Sequence, residues 1–485
     1  MNYGQFLQMI PEAFLVLALI LVFCFDFKIA KAKVKGYTLY FLTVALLLVG
    51  TGICLMAEPA EAFGGLYVAT PMANVMKTIL AMGTLIVVIM AQPWVQAAAM
   101  KLEGEFYMLV ISTLLGMFIM ISSGNFLMFF LGLETASVPM ACLVAFDRKK
   151  KQSAEAAAKY ILTATFSSGV MLYGISLIYA AAGTLYFDDI ATVLASINPF
   201  SDQMLLPVAG LVFFFSGLGF KLSLVPFHFW TADTYQGAPT PVTGYLSVVS
   251  KGAAALAAFI ILTKVFGPLV EQWEVMLGII IMLTITVGNL FAIRQSELKR
   301  FMAFSSISQA GYIMLAALGG SQMGATALTY YVLVYVVANM AVFTVISVVE
   351  QNNGGRTDMD AYNGFYTTNP KLSFLMTLAL FSLAGIPPFA GMFSKFFVFM
   401  SAVGGHEANP FWSYLVVFIA LINTVVSLYY YLLIVKAMYI KKTTTPLPTF
   451  QSDANTKLAL ALCTAGIVAF GVVSCIYDWI AAAAV

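Results

Sequence analysis

Apolar runs of about 20 residues recur along the whole chain, and a helix of that length crosses the hydrocarbon core of a bilayer. Fourteen such spans are read from the sequence, with approximate limits 10–27, 37–56, 72–92, 105–123, 124–146, 154–181, 206–232, 241–266, 272–292, 301–319, 323–350, 370–402, 410–439 and 456–481. Only 9% of the residues are charged, against about a quarter in an ordinary soluble domain. The sequence therefore predicts an all-α membrane protein with about 14 transmembrane helices.

Side chains that hold metals or redox cofactors are scarce in this sequence. The five cysteines are scattered without a CxxC pair, and the only histidines are His228 and His406. These cysteines and histidines are too few and too scattered for an iron–sulfur cluster, a zinc site or a haem held by two histidines. A net charge of +2 also disfavours nucleic acid as a partner. We expect no cofactor on this chain, so any redox chemistry belongs to a partner chain.

The distribution of basic residues predicts the orientation of the spans, because lysine and arginine are enriched in cytoplasmic loops. Loops after odd-numbered spans carry 17 of the 24 basic residues: Lys28, Lys31, Lys33, Lys35, Lys101, Arg148, Lys149, Lys150, Lys151, Arg294, Lys299, Arg300, Arg356, Lys371, Lys441, Lys442 and Lys457. Loops after even-numbered spans instead hold Glu58, Glu61, Asp188, Asp189, Asp202 and Glu407. Both termini are therefore expected on the outer side of the membrane. No basic residue precedes the first span, so we expect no cleavable signal peptide.

Five ionisable residues lie inside predicted spans: Glu134, Lys159, Lys221, Lys251 and Lys395. Each costs about 2.5–3.5 kcal/mol at the centre of a membrane helix. Ion pairs that only hold helices together are one explanation, but such residues more often mark an ion pathway. Three further lysines, Lys77, Lys264 and Lys436, lie near span ends, where we expect them to extend toward the membrane surface.

Two spans contain helix breakers near their middle. The seventh reads GLGFKLSLVPFHFW over 217–230, and the twelfth contains AGIPPFAGMFSK over 384–395. Proline lacks a backbone donor and clashes with the preceding turn, so both helices should be discontinuous. Backbone freed at membrane depth must face protein or a watery cavity. Water at the first break would make Lys221 hydratable and able to change its protonation state.

The two breaks occupy matching places in a predicted internal repeat. Pro226 and Pro388 are 162 residues apart, so spans 4–8 and 9–13 form two five-helix units of opposite orientation, as in many transporters. The predicted organisation is a three-helix segment over 1–104, a first repeat over 105–266, a second repeat over 267–440 and a C-terminal helix within 441–485.

Six motifs make the chain resemble a known family: FLGLETASVP (130–139), AAAKYIL (156–162), GLGFKLSLVPFHFWTADTYQGAPTPV (217–242), SVVSKGA (247–253), FSSISQAGY (304–312) and FSLAGIPPFAGMFSKF (381–396). In this order and spacing they resemble the antiporter-like membrane subunits of NADH-quinone oxidoreductase (respiratory complex I), most closely the subunit N group. Subunits of multisubunit cation/proton antiporters share the core motifs and remain the alternative. A scaffold whose charges only pair helices is a third possibility.

The resemblance implies proton translocation driven by redox chemistry on other subunits. Its proton-transfer positions match Glu134, Lys159, Lys221, His228, Lys251 and Lys395. The implied path runs from the cytoplasm to Lys221, through His228 or water to Lys251, and then through Lys395 to the outside. His228 could equally be a structural histidine with satisfied hydrogen bonds.

The resemblance also implies the setting of the chain. Flavin and iron–sulfur clusters are expected on partner subunits that form a peripheral NADH-oxidising arm, and quinone acts on this chain only indirectly. Other membrane subunits and lipids are the expected neighbours, in a bacterial inner membrane.

An ion-pair switch between Glu134 and Lys221 is energetically plausible. Two unit charges 4 Å apart interact by roughly 4 kcal/mol at an effective dielectric constant of 20. Driving one charge against 150–200 mV requires about 3.5–4.6 kcal/mol. Elsewhere, we interpret Asp233 and the adjacent APTP segment as a cytoplasmic turn and Glu350 and Arg356 as interfacial residues, and expect no role for His406.

Overall fold

The structure is a computed structural model that describes residues 3–32, 37–198, 201–320, 322–404, 410–443 and 447–484. Lys33, Lys35, His406 and Glu407 lie outside these residues. The α-helices of the described part are α1 (Ile10–Ala32), α2 (Thr38–Met56), α3 (Pro71–Ala98), α4 (Glu103–Ile121), α5 (Phe126–Val144), α6 (Lys151–Ala182), α7 (Phe187–Ser196), α8 (Leu205–Leu222), α9 (Phe229–Gly237), α10 (Thr240–Tyr245), α11 (Lys251–Ile260), α12 (Val270–Ile293), α13 (Leu298–Leu315), α14 (Gln322–Asn352), α15 (Phe365–Thr368), α16 (Pro370–Ala384), α17 (Ala390–Gly404), α18 (Pro410–Tyr439), α19 (Ala454–Val472) and α20 (Cys475–Ala483). Strands β1 (Ala60–Ala62) and β2 (Tyr67–Ala69) form an antiparallel hairpin between α2 and α3.

The expected number of membrane spans is confirmed. Within the described ranges, 13 helical segments are long and apolar enough to cross a membrane, and the two shorter apolar helices α16 and α17 follow each other at the position of the twelfth predicted span. Thirteen spans plus this broken one give 14. The chain is a multi-pass membrane protein.

The centre of the bundle is formed by α13 and α14. Every residue in the most apolar stretch of each is buried by protein, whereas only 28% of the corresponding stretch of α6 is buried. A helix that is apolar on all sides must be surrounded by other helices or by lipid. The polar side chains of α13 therefore lie inside the protein, and this helix becomes important for the candidate site.

Small residues bring some neighbouring helices into backbone contact. A Cβ atom placed on Gly116 of α4 would lie 2.3 Å from the Ala136 nitrogen, and one on Gly132 of α5 would lie 2.5 Å from the Met120 nitrogen. Such close approach is typical of membrane helix pairs, in which packing replaces the hydrophobic effect. This contact holds α5, the helix that carries Glu134, firmly against α4.

Both predicted helix interruptions are present. The first separates α8 from α9 over residues 223–228, and the second separates α16 from α17 over 385–389. Gly385 has φ +87°, a left-handed conformation that glycine adopts without steric cost. The sequence did not predict two short π-helical segments, Leu246–Ser250 and Ile261–Val265, which flank α11. Such segments are rare and often occur at functional sites.

Candidate functional site

Lys221 lies in the last turn of α8, beside the first break. Its side chain is buried, and Nζ donates hydrogen bonds to Ser137 Oγ at 2.9 Å and to Tyr160 OH at 3.4 Å. The break leaves the last carbonyls of α8 without helical partners, and Trp230 Nε1 donates to one of them, Phe220 O, at 3.0 Å. Both hydrogen-bond partners of the Lys221 ammonium group among the described residues are thus neutral hydroxyl groups.

Glu134 lies on α5 three residues before Ser137, so both side chains project from one face of that helix. Ser168 Oγ donates a hydrogen bond to the Glu134 carboxylate. In the described part of the chain, Glu134 and Lys221 form no direct ion pair, and Ser137 is the α5 residue that contacts the lysine. The structure thus brings the two charges to adjacent positions without joining them.

Lys251 is the first residue of α11 and directly follows a π-helical segment. It is 1% exposed, and Nζ donates to Ser306 Oγ at 2.7 Å and to the Ser306 carbonyl at 3.2 Å. The ring of Tyr235 lies 5.7 Å away, and Tyr235 OH is 3.3 Å from Ser306 Oγ. No carboxylate among the described residues pairs with Lys251, so serine and tyrosine dipoles alone stabilise a charge there.

Lys395 lies on α17, beside the second break. Its buried Nζ donates to the carbonyl of Ala384, the last residue of α16, at 3.0 Å and lies 5.0 Å from the ring of Tyr312. The interruption itself supplies this acceptor, because a continuous helix would use the carbonyl internally. The break therefore contributes directly to holding the lysine.

Gly391 allows this arrangement, because a Cβ atom there would lie 1.6 Å from the Ser382 carbonyl oxygen. We expect Gly391→Ala to lower the free energy of unfolding by about 1–3 kcal/mol, the usual range for overpacking. The matched control is Gly52→Ala on α2, where nothing lies within 4 Å of the added atom. Thermal denaturation of the purified assembly measures both, and equal midpoints would contradict the prediction.

Polar side chains of α13 connect the regions around Lys251 and Lys395. Beyond Ser306, the Ser305 hydroxyl lies 2.5 Å from Tyr431 OH, and Gln309 Nε2 donates to Tyr431 OH at 3.2 Å. Tyr331 OH donates to Gln309 Oε1. Ser305, Ser306 and Gln309 belong to the FSSISQAGY motif, but the sequence did not predict a role for them, and Tyr331 and Tyr431 lie outside every motif. Three polar residues at positions i, i+1 and i+4 of a span that is otherwise mostly apolar were the signal that could have identified them.

A small cavity completes the connection to Lys395. It lies between α13, α14 and the second break, is lined by Gln309, Tyr331, Tyr335, Ser394 and Lys395 among others, and has a volume of about 10 Å³. That is about the space that one water molecule needs, and the lining provides several polar partners. A water in this cavity would link Gln309 to the Lys395 ammonium.

His228 lies in the first break, immediately before α9. Its side chain is buried, and its ring stacks on Phe229 with centroids 4.6 Å apart. No hydrogen bond among the described residues joins it to Lys221 or to Lys251. Its role as a connecting group stays a prediction.

Lys159 lies on α6, inside the sixth span as expected, but it is neither buried nor without charged partners. Its side chain is 44% exposed and forms ion pairs with Asp233 at 2.7 Å and Glu155 at 2.8 Å. Asp233 also pairs with Arg300 at 2.6 Å. The partners come from α6, α9 and α13, so only the tertiary structure brings them together. Asp233 is thus the centre of a charged cluster, and the role of Lys159 in proton transfer stays a prediction.

A second charged cluster surrounds Glu350 near the end of α14. Its carboxylate pairs with Lys150 at 2.9 Å and with Lys299 at 4.0 Å, and it accepts a hydrogen bond from Thr240. Lys299 is buried and donates to the Ala238 carbonyl at 2.7 Å. Glu350, expected only as an interfacial residue, therefore joins three elements around the APTP segment.

The expectation that Lys77 extends toward the membrane surface is wrong. This side chain is completely buried instead of extending to the surface, and Nζ pairs with Glu12 Oε1 at 2.6 Å. Tyr67 OH donates to Glu12 Oε2 at 2.9 Å and accepts from Lys77 at 3.1 Å. Lys264 behaves as expected, because it is exposed and pairs with Asp188 at 2.8 Å.

No metal-binding group accompanies the lysines: among the residues that the structure describes, no three His, Cys, Asp or Glu side chains are placed to hold a metal ion. The lysine, hydroxyl and amide groups of the site can donate and accept hydrogen bonds.

Comparisons with known proteins place the chain in a family. The family described as NADH:quinone oxidoreductase/Mrp antiporter, TM matches residues 123–427, which include every lysine of the site. "NADH-quinone oxidoreductase subunit N" of Phocaeicola vulgatus is 55% identical over 482 residues, covering 99% of this chain and 98% of that protein. The chain belongs to the NADH-quinone oxidoreductase subunit N family. A more distant subunit N, from Paramagnetospirillum magneticum, is 35% identical and covers 95% of this chain and 92% of its own.

Solved structures agree with membership of the subunit N family. A chain of "Respiratory complex I from Thermus thermophilus with bound Aureothin" is 30% identical, with a TM-score of 0.78 over 96% of this chain and 98% of that one. The Mrp complex from Dietzia sp. DQ12-45-1b has a TM-score of 0.83 at 19% identity, covering 100% of this chain and 97% of that one. At that identity the second likeness shows a shared fold alone.

Proposed function

We propose that this chain carries protons across the membrane as a subunit of an NADH:quinone oxidoreductase. The observation that carries the proposal is Lys251, which is buried within the bundle and has Ser306 as its only hydrogen-bond partner among the described residues. A buried ammonium without a counter-ion is too costly to be a mere anchor. Family membership supplies the reaction that drives the transfer.

Polar groups of α13 and α18 are proposed to carry protons between the second and third lysines. Ser306 of α13 contacts Lys251, whereas Ser305 and Gln309 of α13 contact Tyr431 of α18, and Gln309 also lines the cavity beside Lys395. The step from Ser306 to this second group is part of the proposal. Hydroxyl groups both donate and accept hydrogen bonds, so each can pass a proton onward by reorienting. The direction of net transfer is then set by the charge state of the two lysines.

The first lysine is proposed to be loaded from the cytoplasmic side. In the described arrangement Lys221 is bonded to Ser137 on α5, one turn from Glu134. A small shift along this face of α5 would exchange a hydroxyl partner for a carboxylate. At roughly 4 kcal/mol for a direct contact, that exchange is large enough to control when Lys221 holds its proton. His228 or water in the first break is proposed to pass the proton on to Lys251.

The proposed arrangement in the membrane has both termini outside and the basic loops in the cytoplasm of a bacterium. The clusters around Asp233 and Glu350 then lie at the cytoplasmic side, near the proposed entrance. Spans 4–8 and 9–13 are proposed as inverted repeats, with the two breaks as equivalent positions. Flavin, iron–sulfur clusters and the NADH-oxidising arm belong to partner subunits in this proposal, and quinone acts from a distance.

The test is gentle extraction of the chain from its native membrane, followed by assays of NADH:quinone reductase and proton pumping in vesicles. We expect the reductase to co-purify with the chain, and Glu134→Gln to lower pumping severalfold in the assembled complex. Glu271→Gln is the control, because Glu271 is exposed in the first turn of α12 and lies outside the proposed path. The chain could instead be extracted with other membrane subunits and without reductase activity. If that assembly exchanged protons in a sodium-dependent way, the chain would be a subunit of a cation/proton antiporter and this proposal would be wrong.

A further inference from the structure

A groove lies between α16 and α19. Its volume is about 970 Å³, within the range of pockets that hold a small molecule. Most of its wall is apolar, formed by Leu372, Leu375, Leu460, Ala461, Ala465 and Val468. Thr449 and Phe450, from the connection before α19, cover one end.

Two lysine side chains lie at the same end of the groove. Lys371 is the second residue of α16, and Lys457 is in the first turn of α19; both are exposed and both line the groove. Helix N-termini carry partial positive charge, which lysine does not offset. Asp453 caps α19, but α16 has neither a side-chain cap nor an acid in its first turn. This end of the groove therefore favours an anion.

We propose that this groove binds one anionic phospholipid, with its phosphate between Lys371 and Lys457 and an acyl chain along the apolar wall. The two lysines at one end and the apolar wall beyond them match the phosphate and the hydrocarbon of a lipid. Both lysines belong to loops predicted to be cytoplasmic, where anionic lipids attract basic residues. The inference depends on the membrane setting and not on the proposed proton path.

The test uses the whole complex reconstituted in phosphatidylcholine vesicles that contain a minor fraction of photoreactive phosphatidylglycerol. Cross-linked peptides are located by mass spectrometry. We expect labelling of α16 and α19, competed by unlabelled phosphatidylglycerol and not by phosphatidylcholine. The double variant Lys371→Gln/Lys457→Gln should weaken binding about thirtyfold. Each lysine near an anionic surface contributes a factor of about five to six to the affinity, and the two factors multiply.

The matched control is Lys441→Gln with Lys442→Gln, which removes the same charge from the same side without touching the groove. Ala465→Phe narrows the groove without changing charge and should also reduce labelling. Equal labelling in the lysine variant and its control would overturn the proposal. So would cross-linking of the groove to a neighbouring subunit instead of lipid, which would identify it as a subunit interface.

Discussion

Lys251→Met should reduce NADH-driven proton pumping by the assembled complex at least tenfold, a change of about 1.4 kcal/mol or more in the transfer barrier. Methionine retains the length and apolar stem of lysine but cannot hold a proton. Because Lys251 is buried and pairs with no carboxylate among the described residues, its replacement leaves no uncompensated acid behind. Assembly should therefore survive. The measurement is the ratio of protons moved to NADH oxidised in sealed vesicles.

The control for Lys251 is Lys436→Met, in the last turn of α18. Lys436 is exposed and lies outside the proposed path, so pumping should be unchanged. If Lys251→Met pumped protons at the wild-type rate, Lys251 would not be part of the proton path. Loss of the whole complex in that variant, with normal assembly of the control, would instead favour the scaffold interpretation.

Lys77→Met should destabilise the protein by about 3–5 kcal/mol, the usual effect of removing one partner of a buried ion pair. The change leaves the Glu12 carboxylate buried at 3% exposure with only Tyr67 as hydrogen-bond partner among the described residues. The double variant Glu12→Gln/Lys77→Met should recover most of this loss, since no charge then remains buried. Thermal denaturation of the detergent-solubilised complex, together with the abundance of the chain in membranes, measures the effect.

The control for Lys77 is Lys264→Met. Lys264 forms an ion pair of similar length with Asp188, 2.8 Å, but the side chains of both residues are exposed. Exposed pairs contribute about 0–1 kcal/mol, so little change is expected. If Lys77→Met matched this control, the Glu12–Lys77 pair would carry no stability, and its burial would need another explanation.

The sequence identified three of the site lysines for a sound physical reason. Lys221, Lys251 and Lys395 lie in long apolar runs, and all three are buried in the structure. A charged side chain in the middle of an apolar run is costly to expose to lipid, so it lies inside the protein. The same argument misjudged Lys77 and did not reveal the partners of Lys159. Depth along a span does not reveal whether a neighbouring helix supplies a carboxylate or whether the side chain reaches solvent.

The positions of the spans and of both breaks were determined by the sequence alone. Apolar length, proline and glycine act within one segment, so their consequences are local. The partners of each charge were decided only by the tertiary structure. Ser306 reaches Lys251 across 55 residues of sequence and Glu12 reaches Lys77 across 65. Such contacts depend on how helices pack, because a buried polar group takes its partner from whichever helix lies opposite.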